Sequence, residues 1–148
     1  MNQVVFTVLG EPTGKGRPRF SAYQNPNTGK TYGKAYTPKK TVVYENLVRT
    51  EYERQCGDFR FPDGSMLDMR VMAYYGVTNS ASKKKKEKML AGIIRPTKKP
   101  DMDNCLKAIA DALNDVAYKD DTQIVDCQVR KFYSEKPRVV IKISQIGE

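Results

Sequence analysis

The chain has 148 residues and 39% hydrophobic content, enough to bury a core, and no apolar run near the roughly eighteen residues of a membrane span. Histidine is absent, which excludes Ser-His and Cys-His nucleophiles and the usual neutral-pH proton shuttle. A formal charge of +9, from 26 basic and 17 acidic residues, points to a polyanionic partner and leaves carboxylates, lysine and a metal to carry any hydrolytic chemistry.

Val4, Phe6 and Val8 alternate with Gln3, Val5 and Thr7, which predicts a first strand ending at Gly10. Gly10, Pro12, Gly14, Gly16 and Pro18 then forbid regular structure and predict a loop whose glycines allow a close backbone approach. Lys15, Arg17 and Arg19 alternate along it and would project together if it runs extended. The composition from Gln24 to Tyr36 predicts a hairpin or a mobile flap, with Tyr23, Tyr32 and Tyr36 as candidates to stack on unpaired bases. Thr37-Pro38 reads as an N-cap and first helical residue, followed by a helix with apolar positions Val43, Tyr44, Leu47, Val48 and Tyr52 that stops at Gly57.

Met66 to Tyr75 alternates as a second strand, and Ser80 or Ser82 would cap a short lysine-rich helix closed by Gly92. Residues 93–100 form a basic connector. From Asp103 the apolar residues Leu106, Ile109, Ala110, Leu113, Val116 and Ala117 recur at helical steps. Tyr118 to Asp121 reads as a turn, and TQIVDCQVRKFY and RVVIKISQI as two strands broken at Glu135–Pro137, expected to form an antiparallel hairpin. The fold class is therefore mixed α/β (α+β), a small mixed sheet with helices packed on it, in a single domain over 1–148. Cys56, Cys105 and Cys127 form no zinc pattern and read as reduced, buried small hydrophobes. The first residues lack the features of a signal peptide, so a cytoplasmic protein is expected.

Charge is distributed unevenly. Residues 1–40 carry seven Lys and Arg against one Glu, and residues 83–99 carry eight, including Lys83, Lys84, Lys85, Lys86, Lys98 and Lys99, against Glu87. Between Lys98 and Asp126 lie Asp101, Asp103, Asp111, Asp115, Asp120, Asp121 and Asp126, seven of the 17 acids of the chain. An Asp before a helix is commonly an N-cap, and Asp-Asp is commonly a turn. Two carboxylates at a helix start, Lys107 one turn in, and a second pair opening a strand are a stronger combination. Asp101, Asp103 and Asp121 could converge at the end of a sheet as oxygen ligands for one or two Mg²⁺, which would relieve their mutual repulsion.

The run P-D-x-D-N-x-x-K-A-x-x-D-A-L-N, followed by Y-x-D-D-x-Q-I, resembles the RusA family of Holliday junction resolvases. The opening G-x-P-x-x-K-G-R-P-R-F, Gly10 to Phe20, is similar to the N-terminal loop of many relatives. The resemblance is dense over Lys99–Asp126 and loose between Tyr52 and Ser82. It implies a homodimeric endodeoxyribonuclease of phage or prophage origin, dependent on Mg²⁺ with Mn²⁺ as a substitute, cutting branched DNA to leave 5′-phosphates. It makes Asp101, Asp103 and Asp121 metal ligands and Lys107 the essential lysine, with Asp111 and Asp120 as supporting acids; Asp111 could equally pair with Lys107. Cys105 stands where relatives often have Leu, which is a packing change. Lys15, Arg17, Arg19, Lys83 to Lys86, Lys98 and Lys99 would then bind the DNA arms. No membrane or nucleotide cofactor is implied.

Two rival readings remain at this level. One is a non-catalytic branched-DNA-binding protein with the same fold. The other is a transferase using Asp-x-Asp to hold a nucleotide-sugar, which the short length and basic clusters disfavour.

Overall fold

The computed structural model describes residues 2–147. Strand β1 (Gln3–Leu9) leads through the glycine-rich loop into a hairpin of β2 (Arg19–Gln24) and β3 (Thr31–Tyr36). Helix α1 (Lys39–Cys56), strand β4 (Met66–Gly76) and helices α2 (Lys83–Leu90) and α3 (Met102–Ala112) follow. A 3-10 turn at Asp121–Gln123 opens β5 (Ile124–Ser134), and β6 (Arg138–Ile146) ends the chain.

The main sheet has the order β1-β6-β4-β5, with β4 parallel to β5 and antiparallel to β6. This is the mixed sheet expected from the sequence, with one correction: β5 and β6 do not pair with each other. They run antiparallel but one strand apart, because β4 alternates buried Leu67, Met69, Val71, Ala73 and Tyr75 and occupies the slot between them. The Glu135–Pro137 connection passes the end of β4, where a Cβ on Gly76 would lie 3.2 Å from the Pro137 ring and collide with the Glu11 carboxylate. Glu11 in turn accepts the Gly76 N–H at 3.0 Å, so the glycine admits both neighbours.

Helices α1 and α3 pack on the face carrying Phe6, Val8, Leu67, Met69, Val71, Val139, Ile141 and Ile143. From α1 the buried stripe is Thr41, Tyr44, Val48 and Tyr52. Val43 and Leu47, expected to face inward, are exposed because they lie on the adjoining flank of the helix. Tyr52 anchors the stripe: its ring meets Phe6 edge-on at 5.3 Å and its hydroxyl donates to the Phe59 carbonyl at 2.7 Å.

Three further expectations are corrected. Pro38, not Thr37, is the N-cap of α1, and no side chain caps there, since the proline ring has no acceptor to offer the first helical N–H groups. Cys127 is exposed and Cys56 half-buried; only Cys105 is buried, because β5 is an edge strand whose early residues face outward. The helix beginning near Asp103 stops at Ala112, and Leu113 to Ala117 reach the core from a turn. Ser82 does cap α2, accepting from the Lys85 N–H at 3.2 Å. Among the described residues no helix is long and apolar enough to cross a membrane.

Candidate functional site

The N-terminal loop is the first element that builds the site. Its glycines approach the chain itself: a Cβ on Gly14 would sit 2.7 Å from that of Pro100, and one on Gly16 would sit 2.8 Å from the Thr41 hydroxyl. Lys15 N–H donates to the Asn104 carbonyl at 3.0 Å, which lays the loop along the first turn of α3. The Lys15 side chain therefore turns inward. Its ammonium lies 3.1 Å from Glu45 and 3.2 Å from Asp111, joining α1 to α3. Partial burial alone would lower the Lys15 pKa, but the two carboxylates outweigh it and raise the pKa.

Asp111 also faces Asp121. Partial burial, a hydrogen bond with Asp111 and the charges of Asp120 and Asp111 push the Asp121 carboxyl up, while Lys107 opposes them. Asp120 behaves differently from its neighbour. Its carboxylate accepts from the Thr122 hydroxyl and from the Thr122 N–H at 3.2 Å, and these bonds hold its pKa low. Gln123 completes a capping box by accepting from the Asp120 N–H at 3.2 Å. Asp120 thus closes the 3-10 turn, and that turn aims Asp121 at Asp111.

Asp101 stands at the N-cap position of α3 but makes no side-chain cap hydrogen bond, so its carboxylate is free for other work. Its backbone is pinned by Tyr75, whose buried hydroxyl donates to the Pro100 carbonyl at 2.7 Å. The preceding basic connector is strapped to β5. Lys131 donates to the Lys98 carbonyl at 2.7 Å, and Arg95 donates to the Lys131 carbonyl at 2.8 Å while lying over the Phe132 ring. Tyr75→Phe should keep the core packed yet loosen Pro100. We expect a cost of about 1–2 kcal/mol from the stranded carbonyl, read as a Tm lowered by a few degrees in thermal denaturation with the packed core retained.

Asp101 opens onto a cleft of about 780 Å³ whose lining includes Lys15, Arg17, Lys40, Lys98 and Lys99. Arg19 stands exposed on β2, and Lys83, Lys84 and Lys85 stand exposed on α2, outside that lining. Lys86 borders a neighbouring depression of about 430 Å³ that shares Glu11 with the cleft. Asp103 and Lys107 are exposed on α3, and the ion pair formed by Asp111 is with Lys15, not Lys107.

Among the described residues, no three Asp, Glu, Cys or His side chains close on a single metal-holding point. The donor chemistry nonetheless suits a hard divalent cation: the candidates are all carboxylates, and Asp121 is held against like charges that a cation would relieve.

The profile of the family "Endodeoxyribonuclease RusA" matches residues 10–144. The chain belongs to the RusA family. Membership makes it an endodeoxyribonuclease by family and covers both the glycine-rich loop and the aspartate run. It is also 40% identical over 147 residues to the uncharacterized protein YqaN of Bacillus subtilis strain 168, covering 99% of each chain.

Reading the sequence missed Glu45, Glu11, Tyr75 and Lys131, and placed Lys40 only within the basic cluster of residues 1–40. Only Glu45 carried a signal. It follows Thr41 by four residues and borders the buried stripe of α1, where a charge needs a partner.

Proposed function

We propose that this RusA-family chain is a Mg²⁺-dependent nuclease that resolves four-way DNA junctions by paired, symmetric incisions leaving 5′-phosphate ends. The observation that carries this reading is the basic cleft ending on Asp101, whose carboxylate makes no cap hydrogen bond with its own helix. Phosphates entering the cleft meet Arg17, Lys40, Lys98 and Lys99, which position the backbone without reading sequence. Asp101, Asp103 and Asp121 would hold the divalent cation, and Asp111 and Asp120 support them through the Lys15 bridge and the 3-10 turn. Such a cation supplies Lewis acidity toward a phosphodiester oxygen and acidifies a bound water. Lys107, whose charge already acts on Asp121, offers positive charge where the phosphorane develops negative charge. A two-fold pair of chains would set one such site on each of two opposed strands.

The deciding assay is cleavage of a synthetic four-way junction with and without Mg²⁺. Binding without cutting in either condition would favour the non-catalytic reading. Arg17→Ala should weaken binding to all branched substrates and reduce the slope of log K against log salt by about 1. An unchanged slope would remove Arg17 from the DNA surface.

A further inference from the structure

The β2–β3 hairpin is unaccounted for by the cleft and the acids. All twelve of its strand residues are exposed, and its strands pair only with each other. An isolated two-stranded ribbon is marginal in water, so its sequence should suit whatever covers it. The register opposes Arg19 to Tyr36, Ser21 to Lys34 and Tyr23 to Tyr32. Cross-strand partners share a face, so one face carries three tyrosines and two cations. Tyr23 and Tyr32 stack there at 5.4 Å between centroids with 27° between planes. The other face carries Phe20, Ala22, Gly33 and Ala35 with Gln24 and Thr31 at its far end, and the Phe20 ring lies where a Cβ on Gly33 would collide with it.

Two observations name the occupant. From Pro12 to Tyr44 the chain contains seven Lys and Arg and no acid, which suits a polyanion and opposes an acidic protein surface. The cationic face also continues the cleft: Arg17 lines the cleft and Arg19 begins the hairpin two residues later. Phosphates would satisfy the cations but give exposed tyrosine rings nothing. In an intact duplex each base is covered by its neighbours, whereas unstacked bases at a branch present the open π-faces that such rings bind.

We propose that the hairpin is a branch-recognition element. Tyr23, Tyr32 and Tyr36 stack on unpaired bases of the DNA held in the cleft, while Arg19 and Lys34 take the flanking phosphates. This rests on the reading of the chain as a branched-DNA nuclease.

The test uses the intact protein in Ca²⁺ without Mg²⁺. Anisotropy compares a four-way junction carrying 2-aminopurine at the branch with a linear duplex of the same sequence. The triple variant Tyr23→Ala/Tyr32→Ala/Tyr36→Ala should lose roughly 10- to 100-fold in junction affinity and stay within about twofold on the duplex. The change in 2-aminopurine emission given by the wild type should disappear with it. The corresponding triple Phe variant keeps the rings and the ribbon and should restore both signals. Equal losses on the two DNAs, no loss on the junction, or failure of the Phe variant would overturn the proposal. So would a change of oligomeric state in the Ala variant, since the face would then serve a second copy. A wild type that does not prefer the junction would instead sink the substrate reading on which the proposal depends. Retained preference in the Ala variant would sink the hairpin's role alone.

Discussion

Asp121→Asn is expected to cut junction cleavage in Mg²⁺ by on the order of a thousandfold, with binding in Ca²⁺ or EDTA left within about threefold. The substitution preserves shape and removes one negative charge from a carboxyl that partial burial, the bond with Asp111 and the charges of Asp111 and Asp120 already press toward its neutral form. The metal-free protein should therefore gain thermal stability at neutral pH. The sign follows from linkage: a raised carboxyl pKa means the folded state binds the proton more tightly than the unfolded state. The wild type is thus handicapped above the raised pKa, and the handicap is lost as pH falls through that pKa toward the unfolded value of about 4. The advantage of the variant should fade over that interval and be gone below it. Asp101→Asn should match it in lost cleavage. Asp120→Ala should behave oppositely, lowering stability slightly through the lost cap while sparing much of the cleavage. Normal turnover by Asp121→Asn in Mg²⁺ would remove that residue from the site.

Tyr52→Ala should be the most damaging change away from the site, costing roughly 3–5 kcal/mol and lowering Tm by about 10–15 °C. The ring is fully buried between α1 and the sheet, against Phe6. The hydroxyl also supplies the Phe59 carbonyl with a partner, so truncation leaves both a cavity and a stranded acceptor. Tyr52→Phe isolates the second term and should cost about 1–2 kcal/mol. Because α1 carries Glu45, and Glu45 holds Lys15 against Asp111, residual activity of the Ala variant at low temperature should also fall. Chemical denaturation of the two variants separates these contributions. Equal stabilities would contradict the packing described here.

The aspartate run was legible because its signals are local. Asp101 and Asp103 bracket a helix start, and the helical period places Lys107 and Asp111 on the same flank. Which aspartate of the Asp120–Asp121 pair serves the turn was not legible, since either could accept from a following N–H. The register of the capping box settles it: Gln123 bonds back to Asp120, leaving Asp121 to face Asp111. Lys15 was equally ambiguous. Alternation with Arg17 and Arg19 grouped the three as outward cations, yet the close approach of Gly14 to Pro100 turns Lys15 into an internal bridge.

Strand pairing was the largest gap. Each of β1, β4, β5 and β6 follows from period-2 alternation over a few residues, and the sequence by itself determined those four of the six strands, the three helical segments and the family motif they carry, while Gln24 to Tyr36 read equally as hairpin or flap. The tertiary structure alone decided that β4 separates β5 from β6, because neighbour choice depends on which strand can bury its inward face on both sides. It also decided that the basic connector is strapped beside Asp101 by Tyr75 and Lys131, residues whose own positions in strands announce only packing. Local chemistry is written along the chain, whereas the convergence of cleft, bridge and carboxylates depends on contacts between residues distant in sequence, where periodicity holds no information.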